Sequence, residues 1–164
     1  MKVKEVMTER VQCCTPETNL AVAAELMWNN DCGILPVVDG GRLAGVITDR
    51  DICMALGTRN YPARDVVVRD VQTANVESCQ PESDLQKAME AMRRAKVRRL
   101  PVINESGVIQ GILTLNDIEL RVDRAHAADL SYEQVINTIK AIDEHRQHTG
   151  AAPAEGKSAL AAAS

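Results

Sequence analysis

Gly45-Val46-Ile47-Thr48-Asp49-Arg50-Asp51 and Gly111-Ile112-Leu113-Thr114-Leu115-Asn116-Asp117 are two versions of one phrase. In each, a glycine and two apolar residues lead to a threonine, and an aspartate follows three positions later. The apolar run before the threonine reads as the end of a strand. Threonine is a helix N-cap type, because its hydroxyl accepts a hydrogen bond from a backbone N–H that the first helical turn leaves unpaired. The phrase therefore predicts a strand-to-helix junction. The helices begin near Asp49 and Leu115, with Asp51 and Asp117 in their first turns.

Outward from the junctions the match continues. Val3, Val6, Thr8 and Val11 recur as Val68, Val71, Thr73 and Val76, an offset of 65 (68 − 3 = 65). Cys14, Pro16 and Glu17 recur as Cys79, Pro81 and Glu82, and Leu35-Pro36-Val37 as Leu100-Pro101-Val102. At Gly45 and Gly111 the offset is 66, which places one extra residue in the second copy's turn. So many coincidences at one spacing mark an internal repeat. Each copy offers an N-cap candidate, Thr18 or Ser83, and Ser83 has Gln86 three residues on, a capping-box spacing. Leu20, Ala23, Ala24 and Met27, like Leu85, Ala88, Met89 and Met92, have the spacing of one buried helix face. Two short strands and a polar turn follow in each copy as a hairpin: 35–38 with 43–48, and 100–103 with 108–114. With early strands at 11–13 and 76–78, the unit is β-α-β-β-α and the fold class α+β. A unit of about 60 residues has a thin core, so the two units are expected to pack on each other through their sheets.

The domain reading is a first domain over 1–57, a linker over 58–67, a second domain over 68–124, a helical extension over 125–148 and a disordered tail over 149–164. Gly57, Asn60 and Pro62 make the crossing read as irregular. In the extension, Tyr132, Val135, Ile136, Ile139 and Ile142 form an apolar stripe, expected to pack on its own module rather than to make a dimer contact. The tail is mostly Ala, Gly, Ser and Pro with two charges, Glu155 and Lys157, and little apolar bulk.

Composition narrows function. Of 164 residues, 45% are hydrophobic and 26% charged, as in soluble globular chains, and the net charge is −4. An acidic chain with one Trp, two Tyr and no Phe offers no broad basic surface and no stacking platform, so nucleic acid is not an expected partner. No apolar run is long enough to span a bilayer and no apolar signal region opens the chain, so no membrane partner and a cytoplasmic location are expected. The five cysteines, Cys13, Cys14, Cys32, Cys53 and Cys79, are odd in number and show no C-x-x-C spacing. They are expected to be reduced packing residues, and with all three histidines beyond residue 125 no metal site is expected. Neither copy holds a histidine near the motif, a phosphate-loop lysine signature or a G-x-G-x-x-G turn, so no catalytic residues and no catalytic cofactor are expected.

The junctions do suit a ligand. A helix N-terminus favours a phosphate, a nearby carboxylate accepts hydrogen bonds from a ribose diol, and glycine lets another backbone approach closely. Capping alone also accounts for one threonine and aspartate; the second copy in the same register favours binding. The repeated β-α-β-β-α unit, the Leu-Pro-Val strand and the Gly-x-x-Thr-x-x-Asp ending together resemble tandem cystathionine-β-synthase (CBS) domains, a Bateman module, over residues 1 to 124. The resemblance implies two clefts about a pseudo-twofold axis, holding AMP, ADP, ATP, S-adenosylmethionine or NAD. It implies Asp51 and Asp117 on the ribose, Thr48 and Thr114 on the ribose or phosphate side, and Leu35-Pro36, Leu100-Pro101 and the strand around Cys13 lining the adenine pocket. It also implies a flat homodimer and signalling to an effector protein.

Basic residues break the symmetry. Arg98 and Arg99 directly precede Leu100, whereas Gly33 and Ile34 stand at the matching places. Arginine's planar fork suits phosphate, so one cleft is expected to bind better. That cleft combines the arginines either with Thr48 and Asp51 across the module or with Asp117. The alternative reading is a ligand-free stress or redox scaffold using Cys13 and Cys14; an enzyme acting on nucleotides is a weaker third.

Overall fold

The computed structural model describes residues 1–124 and 130–144. The expected disordered tail over 149–164 lies outside the described residues. Helix α1 spans Leu20–Asn29 and leads to strands β2 (Ile34–Asp39) and β3 (Arg42–Thr48), which form an antiparallel hairpin, followed by α2 (Asp49–Arg59). The second copy repeats the order as α3 (Leu85–Ala95), β4 (Arg99–Ile103), β5 (Ile109–Thr114) and α4 (Leu115–Arg124). The architecture is α+β, two β-α-β-β-α units and a C-terminal helix, α5 (Tyr132–Asp143).

Local chemistry explains the boundaries, with three corrections to the sequence reading. Thr18 and Ser83 are not the helix caps. Asn19 and Asp84 are, their side chains accepting from the N–H of Val22 and Gln86. The hydroxyls of Thr18 and Ser83 instead accept from Thr15 N and Gln80 N, closing the turn before each helix. The linker expected over 58–67 starts two residues later, because α2 continues to Arg59 and ends on Asn60 in a left-handed conformation, φ 55°. The early strands shrink to one bridging residue each: Cys14 pairs parallel with Val37, and Cys79 with Val102.

The repeats are interlocked by their leading segments. Strand β1 (Thr8–Glu9) pairs antiparallel not with its own hairpin but with β5, Thr8 facing Ile112. The equivalent residue Thr73 bridges to Val46 in the first hairpin. Val3 is fully buried in the second repeat's core, beside Leu85, Met92 and Leu113, while Val68 fills the same place in the first beside Leu20, Leu35 and Ile47. Backbone bonds repeat the exchange: Val3 N donates to Ser83 O, and Val68 N to Thr18 O. Between the hairpins Ile34, Val46 and Ile112 form a small buried seam, flanked by Val11 and Val76. The repeats thus share backbone pairs as well as apolar surface, related by a pseudo-twofold axis.

Helix α5 packs on α3 and α4 of its own module. Ser131 caps it, accepting from Gln134 N, while Gln134 Oε1 accepts in return from Ser131 N. Val135, Thr138 and Ile142 form the buried face, with Ile139 partly buried; Tyr132 and Ile136 are exposed. The apolar stripe read from the sequence is therefore narrower, and a threonine completes it. Thr138 can be buried because its hydroxyl donates to Gln134 O at 2.8 Å.

Candidate functional site

Both junctions form the same lock. Asp51 Oδ2 accepts from Thr48 N at 2.9 Å and from Thr48 Oγ1 at 2.7 Å, while Thr48 Oγ1 accepts from Asp51 N at 3.2 Å. In the second repeat Asp117 Oδ2 accepts from Thr114 N at 3.0 Å and Thr114 Oγ1 at 2.7 Å, and Asp117 N donates to Thr114 Oγ1 at 3.1 Å. One carboxylate oxygen of each aspartate is thus committed to the cap. The other, Oδ1, takes no hydrogen bond among the described residues and is left to accept from a ligand hydroxyl.

The glycine of each phrase sits where another chain segment crosses. A side chain begun at Gly111 would lie 2.5 Å from Thr8 O, and one begun at Gly45 would lie 2.5 Å from Thr73 O. The close backbone approach expected of these glycines is that of the exchanged leading segments.

A cleft of about 650 Å³ opens between the repeats beside the second junction. Its wall includes Thr114, Leu115 and Asn116 from the junction, Arg98 and Arg99, the leading segment from Thr8 to Gln12, and the turn from Asn30 to Ile34. Of the site residues named from sequence, the cleft gathers Arg98, Arg99 and Thr114. Asp117 lies beside it, next to Asn116 in the first turn of α4. Leu35, Pro36, Leu100 and Pro101 are buried in β2 and β4 and are not part of this wall, although Leu35 and Leu100 directly follow Ile34 and Arg99, which are. Cys13 is half-buried, its thiol directed to Val11 O at 3.7 Å, and Thr48 and Asp51 belong to the opposite junction. Both arginines line this cleft with Thr114 of their own repeat, while Arg99 also edges a smaller cavity with Asp49 of the first junction and so lies between the two combinations considered. Arg10, Asp31 and Glu119 also line the cleft. No sequence pattern marks them, because they reach it only through the exchange of leading segments and the helix ends.

The two arginines differ in state. Arg98 Nη2 lies 2.5 Å from Asp143 Oδ1 at the end of α5. Arg99 has no hydrogen-bond or ion-pair partner among the described residues, and its Nη2 lies 3.6 Å from where a side chain at Gly33 would begin. That is ordinary contact distance; the close neighbour is Asp49 Oδ2, 2.9 Å from the same point, so glycine at 33 makes room chiefly for the Asp49 carboxylate. A smaller adjoining cavity, about 420 Å³, shares Asp31, Cys32, Gly33 and Arg99 and is edged by the exposed Trp28 and by Asp49.

Cys13 and Cys14, the pair on which the alternative redox reading rests, sit where burial disfavours the thiolate. Burial, together with the neighbouring Cys13, pushes the Cys14 thiol up to about 11, and burial also raises Cys13. A raised thiol holds little thiolate, the reactive form, at neutral pH. Among the described residues no cluster of three or more His, Cys, Asp and Glu could hold a metal ion, and no helix is long and apolar enough to cross a membrane.

Comparison with known proteins agrees with this geometry. CBS-domain profiles match residues 3–58 and 68–122. The CBS domain-containing protein YhcV of Bacillus subtilis is 32% identical over 116 residues, 71% of this chain and 81% of that protein. An inosine-5′-monophosphate dehydrogenase of Thermoplasma acidophilum is 33% identical over 117 residues, 71% of this chain but only 22% of the enzyme. The match to that enzyme is thus confined to a fraction of its length. Among solved structures, CBSX2 in complex with AMP superposes with a TM-score of 0.64 at 28% identity, covering 75% of this chain and 96% of that one. Two profile matches on two interlocked copies of one unit make the chain a member of the CBS domain family, with its CBS domains in tandem.

Proposed function

We propose that this chain is a regulatory module that binds an adenosine nucleotide (AMP, ADP, ATP or NAD) in the cleft beside the second junction. The observation that carries the reading is the convergence of Arg98, Arg99 and Thr114 on one inter-repeat cleft, with the uncommitted Oδ1 of Asp117 at its edge. The carboxylate accepts from the ribose diol, Thr114 lies toward the ribose or phosphate, and Arg99 donates its planar fork to phosphate. The solved relative crystallised with AMP supports an adenosine ligand. No turnover is part of the reading. Binding acts by linkage: a nucleotide that prefers one arrangement of the two repeats stabilises it and passes the shift to whatever the module contacts. We propose that the contact is a second copy of the chain, or an effector protein, in the cytoplasm.

Thermal unfolding with and without millimolar nucleotide tests this. AMP, ATP or NAD is expected to raise the melting temperature of the wild type, and Asp117→Ala to diminish the rise. No shift with any adenosyl ligand contradicts the reading.

A further inference from the structure

The cleft's charges bear on how many phosphates its ligand carries, an inference that rests on reading the cleft as a nucleotide site. Its wall carries three arginines, Arg10, Arg98 and Arg99, and two carboxylates, Asp31 and Glu119. Arg98 lines the cleft, but its Nη2 is drawn to Asp143, whose carboxylate partly neutralises it and competes with a ligand for it. Helix α5 holds Asp143 in place. Its buried face is anchored by Val135 and Ile142, and Lys96 Nζ donates to Glu144 O at 3.0 Å just beyond Asp143. Lys96 and Arg98 are two residues apart, so one short segment leading into β4 grips the end of α5 twice. The remaining cations on the same wall are Arg10 and Arg99.

A single phosphate group presents two or three oxygens, which the unpaired fork of Arg99 serves. A triphosphate adds further anionic groups in a cleft that already holds two carboxylates, with Arg98 partly neutralised by Asp143. Like charges brought together in a partly enclosed site are unfavourable. We propose that Asp143 is a positioning residue that, by holding Arg98, makes the cleft select a nucleoside monophosphate over a triphosphate. The role belongs to this chain's own C-terminal helix and has no counterpart in the first repeat, where Gly33 replaces Arg98.

Isothermal titration of AMP and of ATP into the full chain, without added metal, tests the proposal. The Asp143 side chain is 46% exposed, so its substitution does not threaten the core. Wild type is expected to bind AMP more tightly than ATP. In Asp143→Asn the preference is expected to narrow by about fivefold through tighter ATP binding, the size of effect an exposed ion pair supports. Asp143→Glu, which keeps the charge, is expected to restore the wild-type ratio. A ratio unchanged in Asp143→Asn while both nucleotides bind, or a wild type that prefers ATP, overturns the role of Asp143. If neither nucleotide binds any variant, the site reading fails, and the proposal with it.

Discussion

Asp117 commits one carboxylate oxygen to the cap and leaves the other uncommitted, and residues of this kind were the most legible in the sequence. Thr-x-x-Asp is a local pattern, closed by bonds three residues apart, so spacing alone reveals it. The caps of α1 and α3 were not legible in the same way. Thr18-Asn19 and Ser83-Asp84 each place two cap-competent residues side by side, and only the surrounding turn decides which one caps. Cysteine behaviour was legible only in part: Cys14 is buried as a small apolar residue, whereas Cys53 is exposed. Burial pushes the Cys14 and Cys79 thiols up to about 11 from an ordinary 9.0. The folded state then keeps its protons after the unfolded chain has lost them. The stabilisation is full below pH 9 and is lost as pH rises from about 9 to about 11. Urea unfolding at intervals across that window is expected to show falling stability, with a shallower fall in the Cys14→Ala, Cys79→Ala double variant. An equal slope in both proteins contradicts the assignment.

At the scale of elements, the hairpins and helices followed the apolar spacing, whereas the exchange of leading segments did not show. Val3 and Val68 occupy equivalent positions, and so do Thr8 and Thr73. A segment docked on its own repeat and one docked on its twin have the same periodicity, so no pattern distinguishes them. The glycines were the available signal, since they mark where a backbone crosses, though not which one. Gly111→Ala forces a methyl group to within 2.5 Å of the Thr8 carbonyl oxygen, and backbone cannot yield as a flexible side chain can. Denaturant unfolding of Gly111→Ala is expected to show a loss of about 1–3 kcal/mol, the usual cost of overpacking. A loss confined to a few tenths would mean that the leading segment docks more loosely than described.

Over the whole molecule, near-symmetry in the backbone carries an asymmetric set of charges. The pseudo-twofold axis relates the two junctions, the two bridges and the two exchanged segments. Arg98 and Arg99 answer to Gly33 and Ile34, and α5 covers only the second repeat. The imbalance was visible in the sequence, but its outcome was not. Which junction the arginines meet depends on how the repeats interlock: both line the cleft with Thr114, and Arg99 also borders Asp49 beside Thr48. Isothermal titration of AMP into the wild type, Asp117→Ala and Asp51→Ala tests that outcome most directly. The account predicts that Asp117→Ala loses at least most of the binding while Asp51→Ala binds as the wild type does; binding lost in Asp51→Ala and intact in Asp117→Ala would contradict it.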